Sequence, residues 1–308
     1  MRVLVLGAGA TGGYYGARMI QSGADVTFLV RAARATALDR NGLHVRAIRD
    51  PVHTRVRAVS SIAGATPFDL VLLSCKAYDL GTAIDAIRPA METGACVLPL
   101  LNGVRHLDTL DAAFGKQKVL GGLCHISVTL DTDGSIRQVG TIDRLTFGRR
   151  SGNPPLTPTV RDGLLSIRSE VANSDDILSA MWNKFSFLAT LAAATCLMRA
   201  SIGEIVAVPD GADLVRWLYL ECAEIARRSG HAPDESAVAE AMEILTTPHS
   251  PLKASMLRDV EKRQRTEVEH VLGDMLARAT ALGVDTPLLG AACTQLRVHE
   301  ALIASGQR

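Results

Sequence analysis

Hydrophobic positions change their rhythm once along the chain. In the first half, short apolar runs stand between amphipathic stretches. Arg2–Leu6 (RVLVL), Phe68–Ser74 (FDLVLLS) and Cys96–Leu101 (CVLPLL) have the length and texture of strands buried on both faces of a parallel sheet. Asp25–Val30 reads as another strand, and Gly13–Gln21 and Asp79–Pro89 as helices. Leu43–Ile48 and His53–Val59 read as a hairpin-like pair around Asp50-Pro51. Lys118–Thr129 and Ser135–Val139 follow, with Asp131–Gly134 as their turn, then Leu145–Gly148. Leu156–Ser169 is helical in pattern, and Glu170–Asn173 is a last short strand. From Asp175 onward the period is that of helices: Ile177–Arg199, Ala212–Ser229, Ser236–Leu245, Pro251–Leu282 and Pro287–Ser305, with Pro248, Pro251 and Pro287 as breakers. This switch predicts an α/β domain over 1–173 and an all-helical domain over 174–308. The cleft between two such domains is the default ligand site.

The first strand runs straight into Gly7-Ala8-Gly9-Ala10-Thr11-Gly12, followed by a helix and a second strand. That context gives each glycine a mechanical role. Gly7 permits the tight turn, Gly9 lets a pyrophosphate approach the backbone, and Gly12 lets helix and strand pack closely. The phosphates then meet the unpaired N–H groups and positive dipole end of the helix. A dinucleotide fold that prefers NAD usually places an acid at the end of the second strand. Here Asp25 lies at that strand's beginning, and the strand ends in Arg31, with Arg34 beyond. A guanidinium there suits a 2′-phosphate, so the expected cofactor is NADP(H). The alternative is a solvated surface arginine.

Composition narrows the partners. A net charge of +1 gives no nucleic-acid footprint and no polybasic membrane surface. No uninterrupted apolar run approaches the length of a membrane span, and no leader pattern precedes the first strand, so a cytoplasmic protein is expected. The six cysteines are scattered without a CxxC, and no HExxH spacing occurs, so neither disulfides nor a metal site is expected. The apolar helical half suggests a homodimer.

Three further residues carry candidate chemistry. Lys76 stands just past the Phe68–Ser74 strand, where a point charge can reach a phosphate. Asn102 follows the Cys96–Leu101 strand, and its amide suits a ribose, a nicotinamide or a substrate. Asn102-Gly103 is equally an ordinary turn pair. Lys184 sits among Met181, Trp182, Phe185, Phe187 and Leu188. A lysine there is either functional or snorkels to solvent.

Taken in order, GAGATGGYYG, Arg31, CKAYD around Lys76, LNGV around Asn102, MWNKF around Lys184 and SMLRDVEKRQRTEVEHVLGDML resemble the ketopantoate reductase (2-dehydropantoate 2-reductase) family. The resemblance spans nearly the whole chain. It implies a Rossmann-type doubly wound sheet followed by an all-helical C-terminal domain. It also implies NADPH-dependent reduction of 2-dehydropantoate to pantoate, on the way to pantothenate and coenzyme A. By match to the family motifs, Gly7, Ala8, Gly9, Ala10, Thr11 and Gly12 hold the pyrophosphate. Arg31 and Lys76 hold the 2′-phosphate end, and Asn102 contacts cofactor and substrate. Lys184 is the proton donor, Ser255 binds substrate, and Glu267 belongs to the cofactor side. On one unbroken helix Ser255 and Glu267 would lie ~18 Å apart, too far to share one small acid.

The chain departs from the family at three places. The family has asparagines four, eight and eighteen positions after its lysine, and here those positions are Leu188, Ala192 and Ile202. The reaction class stands, but the substrate expected is 2-dehydropantoate or another 2-oxo acid. Arg199 either replaces a lost polar contact or simply ends a helix. Two other readings are another Rossmann and helical-domain dehydrogenase of a hydroxy acid, and a non-catalytic NADP(H)-binding sensor.

Overall fold

In the computed structural model, which describes residues 1–306, the chain forms two compact units. One comprises residues 1–101 and 106–177. The other comprises residues 102–105 and those from Leu178 onward. The range 174–308 assigned to the helical domain thus ends two residues beyond the described ones.

The first unit opens with β1 (Arg2–Leu6), α1 (Ala10–Gln21), β2 (Asp25–Leu29), α2 (Ala32–Asn41), β3 (Leu43–Arg46), β4 (Val52–Thr54) and β5 (Arg57–Val59). It continues through β6 (Leu70–Leu73), α3 (Leu80–Glu92), β7 (Cys96–Pro99), α4 (Arg105–Phe114), β8 (Gly121–Leu130), β9 (Ile136–Gly148), α5 (Pro158–Leu165) and β10 (Glu170–Asn173). One sheet has the order β5-β2-β1-β6-β7, and every pairing in it is parallel. Its order reverses beside β1, the switch point outside which such sheets bind ligands. The apolar runs are explained by this placement: β6 is buried at all four positions and β1 at its three central ones.

The second sheet is built on β9. β8 runs antiparallel along one edge of it, while β3 and β10 pair parallel with its two ends. Helix α1 lies between the two sheets, which is why Gly12 to Met19 are all buried. A Cβ at Gly16 would collide with Phe28 of β2, and one at Gly13 with Ile136 of β9. The Tyr14 hydroxyl donates to Asp143 at 2.7 Å and accepts from Arg18 Nη2 at 2.9 Å. Burial, reinforced by the Asp143 hydrogen bond, pushes this phenol up to about 12.

Several sequence expectations need correction here. α1 begins at Ala10, so the glycine turn is already its first turn. Residues 53–59 are two strands that join different sheets, and residues 135–148 are nearly all one long strand. Helices α2 and α4 were not read from the pattern. The exposed, polar α2 buries only Leu38.

The second unit holds α6 (Ile177–Met198), α7 (Ile202–Val206), α8 (Gly211–Arg228), α9 (Glu235–Leu245), α10 (Ser255–Glu261), α11 (Val268–Leu282) and α12 (Pro287–Ala304). Among the described residues α6 alone is long and apolar enough to cross a membrane, but 61% of its apolar window is buried inside the protein, as in a core helix. Arg199, at φ 57, ends it, with Ala200 N donating to the Thr195 carbonyl. The stretch Pro251–Leu282, expected as one helix, is broken. Arg263 is left-handed at φ 53, and its N–H donates to Val260 while that of Gln264 donates to Asp259. That pair of bonds is a Schellman stop, here with arginine in the usual glycine position. Helices α8, α11 and α12 pack together. The Glu221 carboxylate accepts from Leu288 N at 3.0 Å and Leu289 N at 2.8 Å, capping α12.

Candidate functional site

In the first unit the candidate cofactor residues gather at the carboxyl ends of adjacent strands. Gly7, at φ +88, turns the chain off β1, and its N–H donates to the Leu29 carbonyl at 2.9 Å. Only glycine enters that conformation without strain. Gly9 is the N-cap of α1, and no side chain among the described residues caps that helix. No acidic residue stands in the first turn. The N–H groups of Ala10, Thr11 and Gly12 therefore face outward at the positive end of a helix dipole. A Cβ on Gly9 would meet no described atom within 4 Å, so the backbone there is open to a ligand. A Cβ on Gly12 would lie 2.6 Å from the Gly7 carbonyl oxygen, so that glycine serves packing. The open cradle and its donors fit the pyrophosphate of a dinucleotide.

Arg31 follows β2, caps nothing with its side chain, and is 89% exposed. Its guanidinium lies 3.6 Å from the carboxylate of Asp79. Lys76 is exposed at the start of the short turn Ala77–Asp79 that follows β6. Because β2 and β6 flank β1 in a parallel sheet, Arg31 and Asp79 meet across the end of β1. Asp79 is a neighbour the residue-by-residue reading missed, although it closes the quoted CKAYD motif. Arg34 has a different task. Its Nη2 donates to the Ala8 and Gly134 carbonyls, both at 3.0 Å, tying the glycine turn to the β8–β9 turn.

The other candidates belong to the second unit. On α6, Ala180, Asn183, Lys184, Phe187 and Leu188 form a half-exposed stripe at helical spacing, while the intervening residues are buried. Trp182 anchors the start of this helix. It stacks on His231 at 5.7 Å between centroids, and the Arg278 guanidinium lies 5.3 Å from its ring. The Asn183 amide oxygen is buried with no hydrogen-bond partner among the described residues.

The Asn102 turn packs on the same part of α6. Gly103, at φ +75, brings the backbone so close that an added Cβ would stand 3.4 Å from Phe185 and from the His270 carbonyl. Arg105 Nη1 donates to the Glu269 carbonyl at 3.5 Å, and His270 N donates to that of Glu267 at 3.0 Å. The His270 ring also hydrogen-bonds the Asn102 backbone; burial holds its pKa below the ordinary histidine value, against the opposing pull of Glu267. The neighbours of Asn102, Lys184 and Glu267 thus touch one another, through Gly103, Phe185 and His270. No sequence signal marked His270 as the link.

Ser255 is exposed at the first position of α10, after Ala254, whose N–H donates to Thr195 Oγ1 at 3.4 Å. Thr195 is three turns beyond Lys184, about 16 Å along the axis. The break at Arg263 removes the single-helix spacing between Ser255 and Glu267. Of the three positions where the family has asparagine, Leu188 lies on the accessible stripe, whereas Ala192 and Ile202 are buried at 3% and 0% exposure. Ile202 opens α7, and its N–H donates to the Leu252 carbonyl at 2.9 Å. Arg199 is an exposed helix-ending residue. Among the described residues no group of three His, Cys, Asp or Glu side chains is placed to hold a metal ion.

The family model described as Ketopantoate reductase PanE/ApbA matches residues 3–152, and its C-terminal counterpart matches residues 176–300. The chain is 35% identical to Uncharacterized oxidoreductase YkpB of Bacillus subtilis, covering 98% of this chain and 99% of that one. It is 30% identical to the 2-dehydropantoate 2-reductase of Archaeoglobus fulgidus, over 92% of each. The crystal structure of a PanE/ApbA family ketopantoate reductase from Ralstonia eutropha JMP134 superposes with a TM-score of 0.88 at 25% identity, over 99% of this chain and 100% of that one.

Proposed function

The chain belongs to the ketopantoate reductase family of oxidoreductases, and from that premise we propose that it uses NADPH to reduce a 2-oxo acid to the 2-hydroxy acid. The observation that carries this reading is Lys184, held on the accessible stripe of α6 beside the Asn102 turn. A dinucleotide held there would supply the hydride. As negative charge builds on the ketone oxygen, the Lys184 ammonium stabilises it and gives up a proton from Nζ. Asn102 offers an amide to the substrate or nicotinamide, Ser255 a neutral donor to the carboxylate, and Glu267 stands on the cofactor side. Gly7 to Gly12 take the pyrophosphate. Arg31 and Lys76 take the 2′-phosphate, for which Arg31 must turn from Asp79.

The substrate is 2-dehydropantoate, as named for the Archaeoglobus relative, or a 2-oxo acid with a more apolar tail. Leu188, one turn from Lys184, supports the second choice. An apolar wall discriminates only modestly against an added hydroxyl, by ~10²-fold. Activity on 2-dehydropantoate should therefore be reduced without being abolished. The deciding experiment measures kcat/KM with NADPH for 2-dehydropantoate, 2-oxoisovalerate and 2-oxoisocaproate. Clear preference for 2-dehydropantoate would overturn the apolar-tail reading. Absence of turnover on a panel of 2-oxo acids, with NADPH still bound, would favour a sensor instead.

A further inference from the structure

Helix α8 carries an exposed stripe with nothing packed on it among the described residues. Asp213, Arg216, Trp217, Leu220 and Arg227 are exposed and Glu224 half-exposed, all on one side of the helix, whereas Val215, Leu218, Tyr219 and Cys222 are buried. Trp217 and Leu220, at 55% and 61% exposure, are large apolar groups in the middle of that stripe. Two grooves flank it. One, of about 470 Å³, is bounded by Trp217, Leu220, Glu221, Glu224 and the start of α12. The other, of about 440 Å³, lies between Trp217, Met198, Val208 and Leu214. An apolar stripe set between grooves and rimmed with charge is the anatomy of a protein interface.

The order of the charges identifies the occupant. Turned end for end about Leu220, the stripe is its own electrostatic complement. Arg216 and Glu224 stand four residues either side of Leu220, and Asp213 and Arg227 stand seven either side. In a two-fold contact, residue i meets j and j meets i. An antiparallel α8 pair centred on Leu220 therefore sets Arg216 against Glu224 and Asp213 against Arg227, twice each. The same register lays Trp217 of one copy over positions 223–224 of the other, at the 470 Å³ groove. That groove is lined by apolar groups together with the carboxylates of Glu221, Glu224 and Asp285. It suits an indole, whose only polar group is one N–H donor.

We propose that this face of α8 is the interface of a homodimer, two copies packing antiparallel about Leu220 with Trp217 of each seated in the groove of the other. The charges are already paired within each helix, Arg216 with Asp213 and Arg227 with Glu224, both at 2.7 Å. Dimerisation exchanges or extends those pairs, and the apolar centre supplies the gain.

The test is sedimentation velocity on the full chain and three variants, each checked for its fold by circular dichroism. The parent should sediment as a dimer at micromolar concentration. Leu220→Glu, which places two like charges on the two-fold axis, and Arg216→Glu or Glu224→Arg alone, which set like charges opposite each other twice, should each raise the dissociation constant more than about 100-fold. Mixing the Arg216→Glu and Glu224→Arg proteins should restore a dimer, because each then meets its complement. A double variant carrying both reversals should dimerise by itself. A monomeric parent would overturn the proposal. So would a dimer that survives Leu220→Glu and both single reversals, or failure of the mixture to associate when both variants are folded.

Discussion

The glycines of the turn after β1 can be told apart by what a methyl group would meet at each. At Gly12 a Cβ would stand 2.6 Å from the Gly7 carbonyl oxygen and against the Ser74 hydroxyl. Overpacking costs about 1–3 kcal/mol, and a backbone carbonyl yields less than a side chain would. The higher helix propensity of alanine returns at most about 1 kcal/mol. Gly12→Ala should therefore lose about 1–2 kcal/mol, or roughly 2–8 °C in Tm at this size. At Gly9 φ is −78 and, its chain neighbours aside, no described atom lies within 4 Å of where a Cβ would stand. Gly9→Ala should cost less than about 1 kcal/mol, through the cap preference alone. Its methyl group, however, occupies the space a pyrophosphate needs, so the Kd for NADPH should rise about tenfold or more. Gly7→Ala forces alanine to φ +88, a strain of about 1–3 kcal/mol. Thermal melts without nucleotide, paired with fluorescence titration of NADPH, separate the three. Gly9→Ala should lose binding while keeping its Tm near the parent's. If it binds NADPH as the parent does, or melts as early as Gly12→Ala, the assignment of packing to Gly12 and ligand approach to Gly9 is wrong.

Lys184→Ala should lower kcat by ~10²–10⁴-fold while leaving NADPH binding intact; a variant with near-parent turnover on its best substrate would remove Lys184 from the mechanism. Arg31→Ala should lower kcat/KM with NADPH about 10–100-fold, the size of one lost charge-assisted contact, and barely change it with NADH. A parent enzyme that prefers NADH would refute the role given to Arg31. For His270, burial sets the folded pKa below the ordinary 6.5. The folded state then binds fewer protons than the unfolded chain as pH falls through that value, so stability present at neutral pH is lost on acidification. Denaturant midpoints measured from neutral pH to about pH 5 should fall less for His270→Gln than for the parent.

The parallel sheet and its glycine turn were legible because their signals are local. Apolar runs such as RVLVL and FDLVLLS have one reading in a doubly wound sheet, and the glycine spacing sits directly between strand and helix. What escaped were features set by partners far along the chain. Residues 53–59 look like one strand, yet Val52–Thr54 pairs with β3 and Arg57–Val59 with β2. The stop at Arg263 uses a residue with no breaker character, and only the carbonyls of Asp259 and Val260 explain it. At the candidate site the motifs located Lys184, Asn102 and Glu267. They did not show that Phe185 and His270 both pack on the Asn102 turn, nor that Ile202 is sealed into the core. Arg34, beyond the same strand end as Arg31, is occupied by two backbone carbonyls of its own unit, a tie that no local pattern announces.

On the ribosome, the Asn102–Arg105 turn has to wait for its partners. The residues on either side of it complete the first unit, whereas the turn itself packs on Phe185 and on His270, made 83 and 168 residues after Asn102. At ~5–20 residues per second, the second of these emerges roughly 10–30 s later. During that interval the nascent chain holds a parallel sheet, with a four-residue excursion whose anchors do not yet exist. The time at which Asn102 becomes fixed is then set by the pace of translation through residue 270, and not by how fast the strands on either side of it pair.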